Sequence, residues 1–143
     1  MKSGKLWDYR VLKNILFSAY DVTGRRDNMA VYVANAPGED YDSAVPDDYD
    51  SWIDYWNELQ YPEGDKVAGK CRNCGKKTKE IAPKKFEGGH VEYCEERNGK
   101  WYTNKENGIY ITPLCPECNN HNNTRLFTVD ESDLIEIPRS HYK

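Results

Sequence analysis

Hydrophobic positions change their period partway along the chain. Over 6–20 (LWDYRVLKNILFSAY), Leu6, Tyr9, Leu12, Leu16 and Tyr20 recur at three- and four-residue intervals, the spacing of one face of an α-helix. This predicts an amphipathic helix docked on the core. Residues 29–35 (MAVYVAN) are β-branched and aromatic and predict a strand, which Pro37-Gly38 then breaks. Helical spacing returns over 50–60, with Trp52, Trp56 and Leu59 on one face and Asp50 or Ser51 as the cap. Beyond residue 66 the pattern shortens to strands near 90–96, 100–103, 109–114, 126–129 and 133–137. Asn98-Gly99 and Asn107-Gly108 both read as two-residue hairpin turns, because type I′ turns need positive φ. The predicted class is α+β. The best boundary is 61–66 (YPEGDK), between a helix-strand-helix region over 1–65 and a strand-rich unit over 66–143.

A chain of 143 residues suits one compact domain with an appended subdomain. Hydrophobic residues make up only 38% and mean hydropathy is -0.94, so the core is lean and an additional staple is expected. An aromatic content of 13% excludes a disordered polar chain. Asp8, Arg10 and Lys13 interrupt any apolar leader segment. No stretch reaches the roughly 20 apolar residues of a membrane span. The chain is therefore expected to be cytoplasmic and without a membrane partner, and its five cysteines to be reduced.

Charge is unevenly placed. Residues 39–65 carry ten acids (Glu39, Asp40, Asp42, Asp47, Asp48, Asp50, Asp54, Glu58, Glu63, Asp65) and no Lys or Arg, which leaves +6 on the rest of a chain whose net charge is -4. Two surfaces with different partners are implied. Lys76, Lys77, Lys79, Lys84 and Lys85 form a basic stretch that either meets phosphates or lies as a solvated loop.

The candidate chemistry lies in CRNC (71–74) and CPEC (115–118). Zinc takes four thiolates in a tetrahedron, and two residues between paired cysteines let both sulfurs face one ion. Cys71, Cys74, Cys115 and Cys118 are accordingly read as ligands of a structural zinc, against the alternative of four unligated thiols. Gly75 suits the first knuckle. Cys115, Pro116 and Glu117 look like a helix start, with Pro at the first helical position and the acid at the positive dipole end. The 40 residues between the pairs (75–114) need a β-meander to fill them. Cys94 is the odd thiol and is read as semi-buried, and His121 is a competing zinc ligand that Cys118 makes unnecessary.

The knuckle, followed by GGHV (88–91) and a strand ending YITPLCPECNN (110–120), resembles the zinc-ribbon branch of the His-Asn-His (HNH) endonuclease superfamily over about residues 66–129. The continuation LFTVDESDLIEIP (126–138) is similar to small zinc proteins with GAHV-like and YIVPLC-like segments. The resemblance implies a treble-clef, ββα-metal arrangement. It also implies that His90 is the general base and Asn119 a ligand of the catalytic metal. Gly89 stands where that family has an Asp or His ligand, Tyr110 where it has the orienting Asn, and Asn122 where a Lys is common. Period-two alternation puts Glu92 and Cys94 on the face of His90. Glu92 could partly replace the missing ligand, or His90 and Cys94 could hold a transition metal. The alternative is a packed His90 that does no chemistry, and a second divalent metal is not expected.

Three functions follow. The first is a noncatalytic HNH-like zinc module that binds a protein or a nucleic acid. The second is a divergent metal-dependent endonuclease, opposed by Gly89 and Tyr110. The third is an acidic inhibitor of the DNA-mimic type acting through 39–65. The oligomeric state is left open by the sequence.

Overall fold

Strand β2 (Glu87–Arg97) is the member on which the other strands assemble. The computed structural model describes residues 29–37, 44–120 and 122–142. The expected helix over 6–20, the acids Glu39, Asp40 and Asp42, and His121 lie outside them. Strand β1 (Ala30–Asn35) pairs with the middle of β2, with Val33 opposite Tyr93 and Asn35 opposite Val91. Strand β4 (Ile109–Leu114) pairs with the first half of β2, from Glu87 opposite Leu114 to Glu92 opposite Ile109. Strand β3 (Lys100–Thr103) pairs with the last four residues of β2. Strands β5 (Phe127–Asp130) and β6 (Ile135–Glu136) add to β1 and β4. The result is a six-stranded antiparallel sheet in the order β5-β1-β2-β4-β6, with β3 on β2. The sheet draws on both sides of residue 65, since β1 stands between β2 and β5.

The two Asn-Gly dipeptides behave differently. Asn98 (φ 53°) and Gly99 (φ 80°) join β2 to β3 in the left-handed conformation that a type I′ turn requires. Asn107-Gly108 closes no hairpin. Cys94 pairs with Thr103 and Glu92 with Ile109, so the five residues 104–108 stand opposite Tyr93 alone. They are accommodated by a 3-10 turn at Lys105–Asn107, capped by the Asn104 side chain, which accepts from the Glu106 N–H.

Helix α1 (Trp52–Gln60) starts where expected. Ser51 is the cap, and its Oγ accepts from the Asp54 N–H. Trp52 and Trp56, one turn apart, are buried, whereas Leu59 is 43% exposed. The chain turns after the helix and sets the Tyr61 ring edge-on against Trp56, with centroids 5.8 Å apart, covering the tryptophan in place of Leu59. Helix α1 lies so close to β2 that a Cβ at Gly88 would come within 2.7 Å of the Trp52 backbone. A second short helix, α2 (Thr78–Ile81), follows the first cysteine pair.

Strict register divides the sheet into two faces. His90, Glu92, Ile109, Ile111 and Ala36 point to the α1 side; Val33, Val91, Leu114, Phe127 and Val129 point to the other, and all ten are buried. Burial on both sides accounts for the near-continuous apolar character of β1 and β4.

Candidate metal centre

The first knuckle is shaped by its own backbone. The Cys71 N–H donates to the Lys76 carbonyl, the Gly75 N–H to the Cys71 carbonyl, and the Cys74 N–H points at Cys71 Sγ at 3.5 Å. The Arg72 N–H donates to the Pro113 carbonyl at 2.9 Å, and this ties the knuckle to the end of β4. Strand β4 delivers the second pair directly, since Cys115 is the residue after Leu114.

The second pair does not begin a helix. Residues 116–119 form a turn closed by the Asn119 N–H on the Cys115 carbonyl, and no α-helix follows Cys118 among the described residues. The asparagines account for this. Asn120 Oδ1 accepts from the Asn122 N–H and Asn123 Oδ1 from the Arg125 N–H. Such local side-chain bonds offer the backbone an alternative to the helical ladder. Asn35, from β1, adds a long-range anchor, its Nδ2 donating to the carbonyls of Cys118 (2.8 Å) and Asn120 (3.2 Å). Asn123 Nδ2 also donates to the Cys118 carbonyl at 2.9 Å.

These supports bring the four sulfurs of Cys71, Cys74, Cys115 and Cys118 within 4.8 Å of one another, and Cys74 Sγ is 3.8 Å from Cys115 Sγ. A tetrahedron with Zn–S bonds of about 2.3 Å has edges of about 3.8 Å, so the donor set and its size fit a zinc ion. The thiols conflict without a cation. Burial pushes the Cys118 and Cys115 thiols up, and neighbouring sulfurs add to this at Cys118. At Cys71, burial is outweighed by backbone N–H groups of Cys74, Cys115 and Asn73, and its thiol lies below the ordinary range. A divalent cation lets all four ionise together. Cys71 and Cys115 are buried, while Cys74 is exposed at a shallow pocket of about 350 Å³ that Lys76 and Arg125 also line. The Lys76 ammonium, 3.2 Å from Glu117, is held above its usual range first by that carboxylate and then by the Cys74 and Cys115 charges.

A clasp tied to the first knuckle has no signature in the sequence. The Asp133 carbonyl accepts from Trp56 Nε1 (2.9 Å) and from Thr112 Oγ1 (3.1 Å), while its carboxylate takes Arg72 Nε at 3.0 Å. Arg72 also lies 5.4 Å from the Trp56 ring. One residue thus joins the knuckle, α1 and β4. Backbone carbonyls as acceptors leave no pattern to read.

His90 and Asn119 are not brought together. His90, 5% exposed, lies on the α1 face with its ring 5.5 Å from Trp52 and nearly perpendicular to it. Glu92 and Cys94 share that face, as alternation predicted, and both are buried. Asn119 lies against the opposite face, its Nδ2 donating to Glu87 Oε1 at 2.8 Å. A Cβ at Gly89 would sit 2.9 Å from Asn119 Oδ1 and 2.8 Å from Leu114 Cγ, so close packing accounts for the glycine there. Tyr110 also faces away from His90. It stacks on Tyr93 at 5.0 Å, and its hydroxyl donates to the Asn107 carbonyl. Burial, and then the Glu136 charge, push that hydroxyl up to about 12. Asn122 is exposed in the turn after the second knuckle. No helix among the described residues is long and apolar enough to cross a membrane. No family model, curated protein or solved structure matches the chain.

Proposed function

We propose that the chain is a zinc-stabilised, HNH-like module that recognises a protein or nucleic-acid partner and performs no phosphodiester chemistry at His90. The convergence of four cysteine sulfurs within 4.8 Å carries this reading. Zinc, when bound, would cross-link two chain segments and supply folding free energy, on the order of 10 kcal/mol or more in small domains. Asn35, Asn123 and the Asp133 clasp orient the segments that present the sulfurs. Two further observations favour a noncatalytic role. A general base must come within about 2.6–3.2 Å of the proton it takes, and His90 packs behind Trp52. Asn119, the residue that would share a metal with it, is engaged by Glu87 across the sheet.

The test has two arms. Mass spectrometry of untagged protein is expected to give one zinc per chain, and a metal-free folded chain refutes the module. Plasmid and single-stranded DNA, incubated with magnesium, manganese or nickel, are expected to stay intact. Robust cutting by wild type that His90→Ala abolishes restores the endonuclease.

A further inference from the structure

Residues 66–85 carry eight Lys or Arg and a single acid, Glu80, within a chain of net charge -4. Three of the cations are accounted for locally. Arg72 is paired with Asp133, Lys76 with Glu117, and Lys66 lies 6.0 Å from the Tyr61 ring. Glu80 neutralises none of the rest by a direct contact, because its Oε1 accepts from the Lys77 backbone N–H at 2.9 Å. Lys70, Lys77, Lys79, Lys84 and Lys85 are all exposed, and none is within ion-pair distance of an acid among the described residues.

The fold concentrates these charges. Lys70 and Lys77 stand opposite each other in an antiparallel bridge, which places their Cβ atoms about 4.5–5.5 Å apart, and like charges so placed are destabilising on their own. Lys79 follows within α2, and the Lys84 N–H closes the next turn on the Ile81 carbonyl. Five exposed lysines therefore fall on one lobe built from the first knuckle, α2 and the turn after it. Repulsion there is relieved by a partner with closely spaced negative charge. Duplex DNA supplies one charge per roughly 1.7 Å of axis. The seven acids between Asp47 and Asp65, with no cation among them, would keep such a partner on the basic lobe.

We infer that this lobe binds the phosphodiester backbone of a nucleic acid, independently of sequence and away from His90. The inference rests on the reading of the chain as a noncatalytic zinc module and names its partner class. The exposed lysines act as point charges, and binding releases counterions from the backbone.

The test is fluorescence anisotropy with the full chain and labelled strands of about 20 nucleotides, as duplex DNA, single-stranded DNA and single-stranded RNA. Zinc content and melting temperature are measured on the same samples. Five phosphate contacts give a slope of about -4.5 in log affinity against log salt on duplex DNA, or roughly a 500-fold loss between 50 and 200 mM. Lys70→Gln with Lys77→Gln is expected to lower the slope by about 2 while zinc content and melting temperature stay unchanged. A zinc-free chain overturns the module reading and this inference with it. A zinc-loaded chain that leaves all three nucleic acids unbound, or whose slope ignores the double substitution, overturns this inference alone. So does equally tight binding of poly-glutamate, which would indicate an acidic protein partner.

Discussion

The Cys118 carbonyl accepts from two asparagines at once, Nδ2 of Asn35 at 2.8 Å and Nδ2 of Asn123 at 2.9 Å, and this redundancy makes a quantitative prediction. Asn35→Ala removes one of the two side-chain donors to the Cys118 carbonyl and, among the described residues, the only side-chain donor to the Asn120 carbonyl. Asn120 is exposed, so water replaces that bond. The cost is then the net value of ordinary hydrogen bonds, about 1–2 kcal/mol. Asn123→Ala leaves Asn35 in place and is expected to cost about 1 kcal/mol. The double substitution strips the Cys118 carbonyl of both side-chain donors beside β1. An unsatisfied group of this kind costs about 1–3 kcal/mol, so the pair should exceed the sum of the singles by about 1 kcal/mol. The same groups position Cys118, and outer-shell losses elsewhere weaken metal binding about 10–100-fold. The assay is a double-mutant cycle by urea unfolding of zinc-loaded protein, with zinc affinity measured by competition against a chelator. Additive losses, or zinc affinity untouched in the double variant, would refute the reasoning that these asparagines jointly hold the second knuckle.

Cys115→Ala should abolish zinc binding and the near-ultraviolet dichroism of the sheet, because a structural zinc contributes about 10 kcal/mol or more, comparable to a typical domain's whole stability of about 5–15 kcal/mol; metal analysis and dichroism check this. Gly88→Ala should destabilise more than Gly89→Ala, since the new methyl meets the α1 backbone at 2.7 Å in the first case and mainly the movable Leu114 and Asn119 side chains in the second. Overpacking costs about 1–3 kcal/mol, and thermal melts of the two variants give the order. Burial, and then the Glu92 charge, push the Cys94 thiol up to about 12. The thiol is protonated in both states below its unfolded value of about 8.5. Between about 8.5 and 12 the unfolded chain ionises first, and native stability falls. Unfolding followed from pH 7 to 11 should show this decline, and Cys94→Ala should make it shallower, leaving the part above about pH 10 that Tyr110 contributes.

Local signals were readable in the sequence, and choices made between distant segments were not. The cysteine pairs were legible because ligand chemistry and the two-residue spacing are both local. The α1 cap at Ser51 and the Asn98-Gly99 turn were legible for the same reason. Asn107-Gly108 has the same dipeptide but a different outcome, because β3 and β4 both pair with β2 and the surplus residues must bulge opposite Tyr93. Period-two alternation grouped His90, Glu92 and Cys94 correctly. Nothing in that period tells which face the second knuckle lands on, and its landing beside Gly89 separates Asn119 from His90. Leu59 has the right helical phase, but Tyr61 reaches Trp56 from beyond the helix end. Asn35 reads as an ordinary strand residue, and Asp133 as an ordinary loop residue. Their roles arise from partners more than 70 positions away, the Cys118 carbonyl for Asn35 and the Trp56 indole N–H for Asp133.

Strand β1 pairs with β5 over Ala30–Val33, with Ala30 lying opposite Asp130. Closing this pairing from an open chain means joining ends 100 residues apart, and non-local pairings of this kind slow folding. A zinc ion bound between Cys71 and Cys115 would short-circuit that path. The effective loop falls to roughly 56 residues, which lowers the closure cost by about 0.5 kcal/mol. The saving in equilibrium is small, but it comes early, at the step where unpaired edges of β1 and β2 are open to other chains. Metal supply would then control how long the nascent chain remains aggregation-prone, apart from any effect on the finished structure.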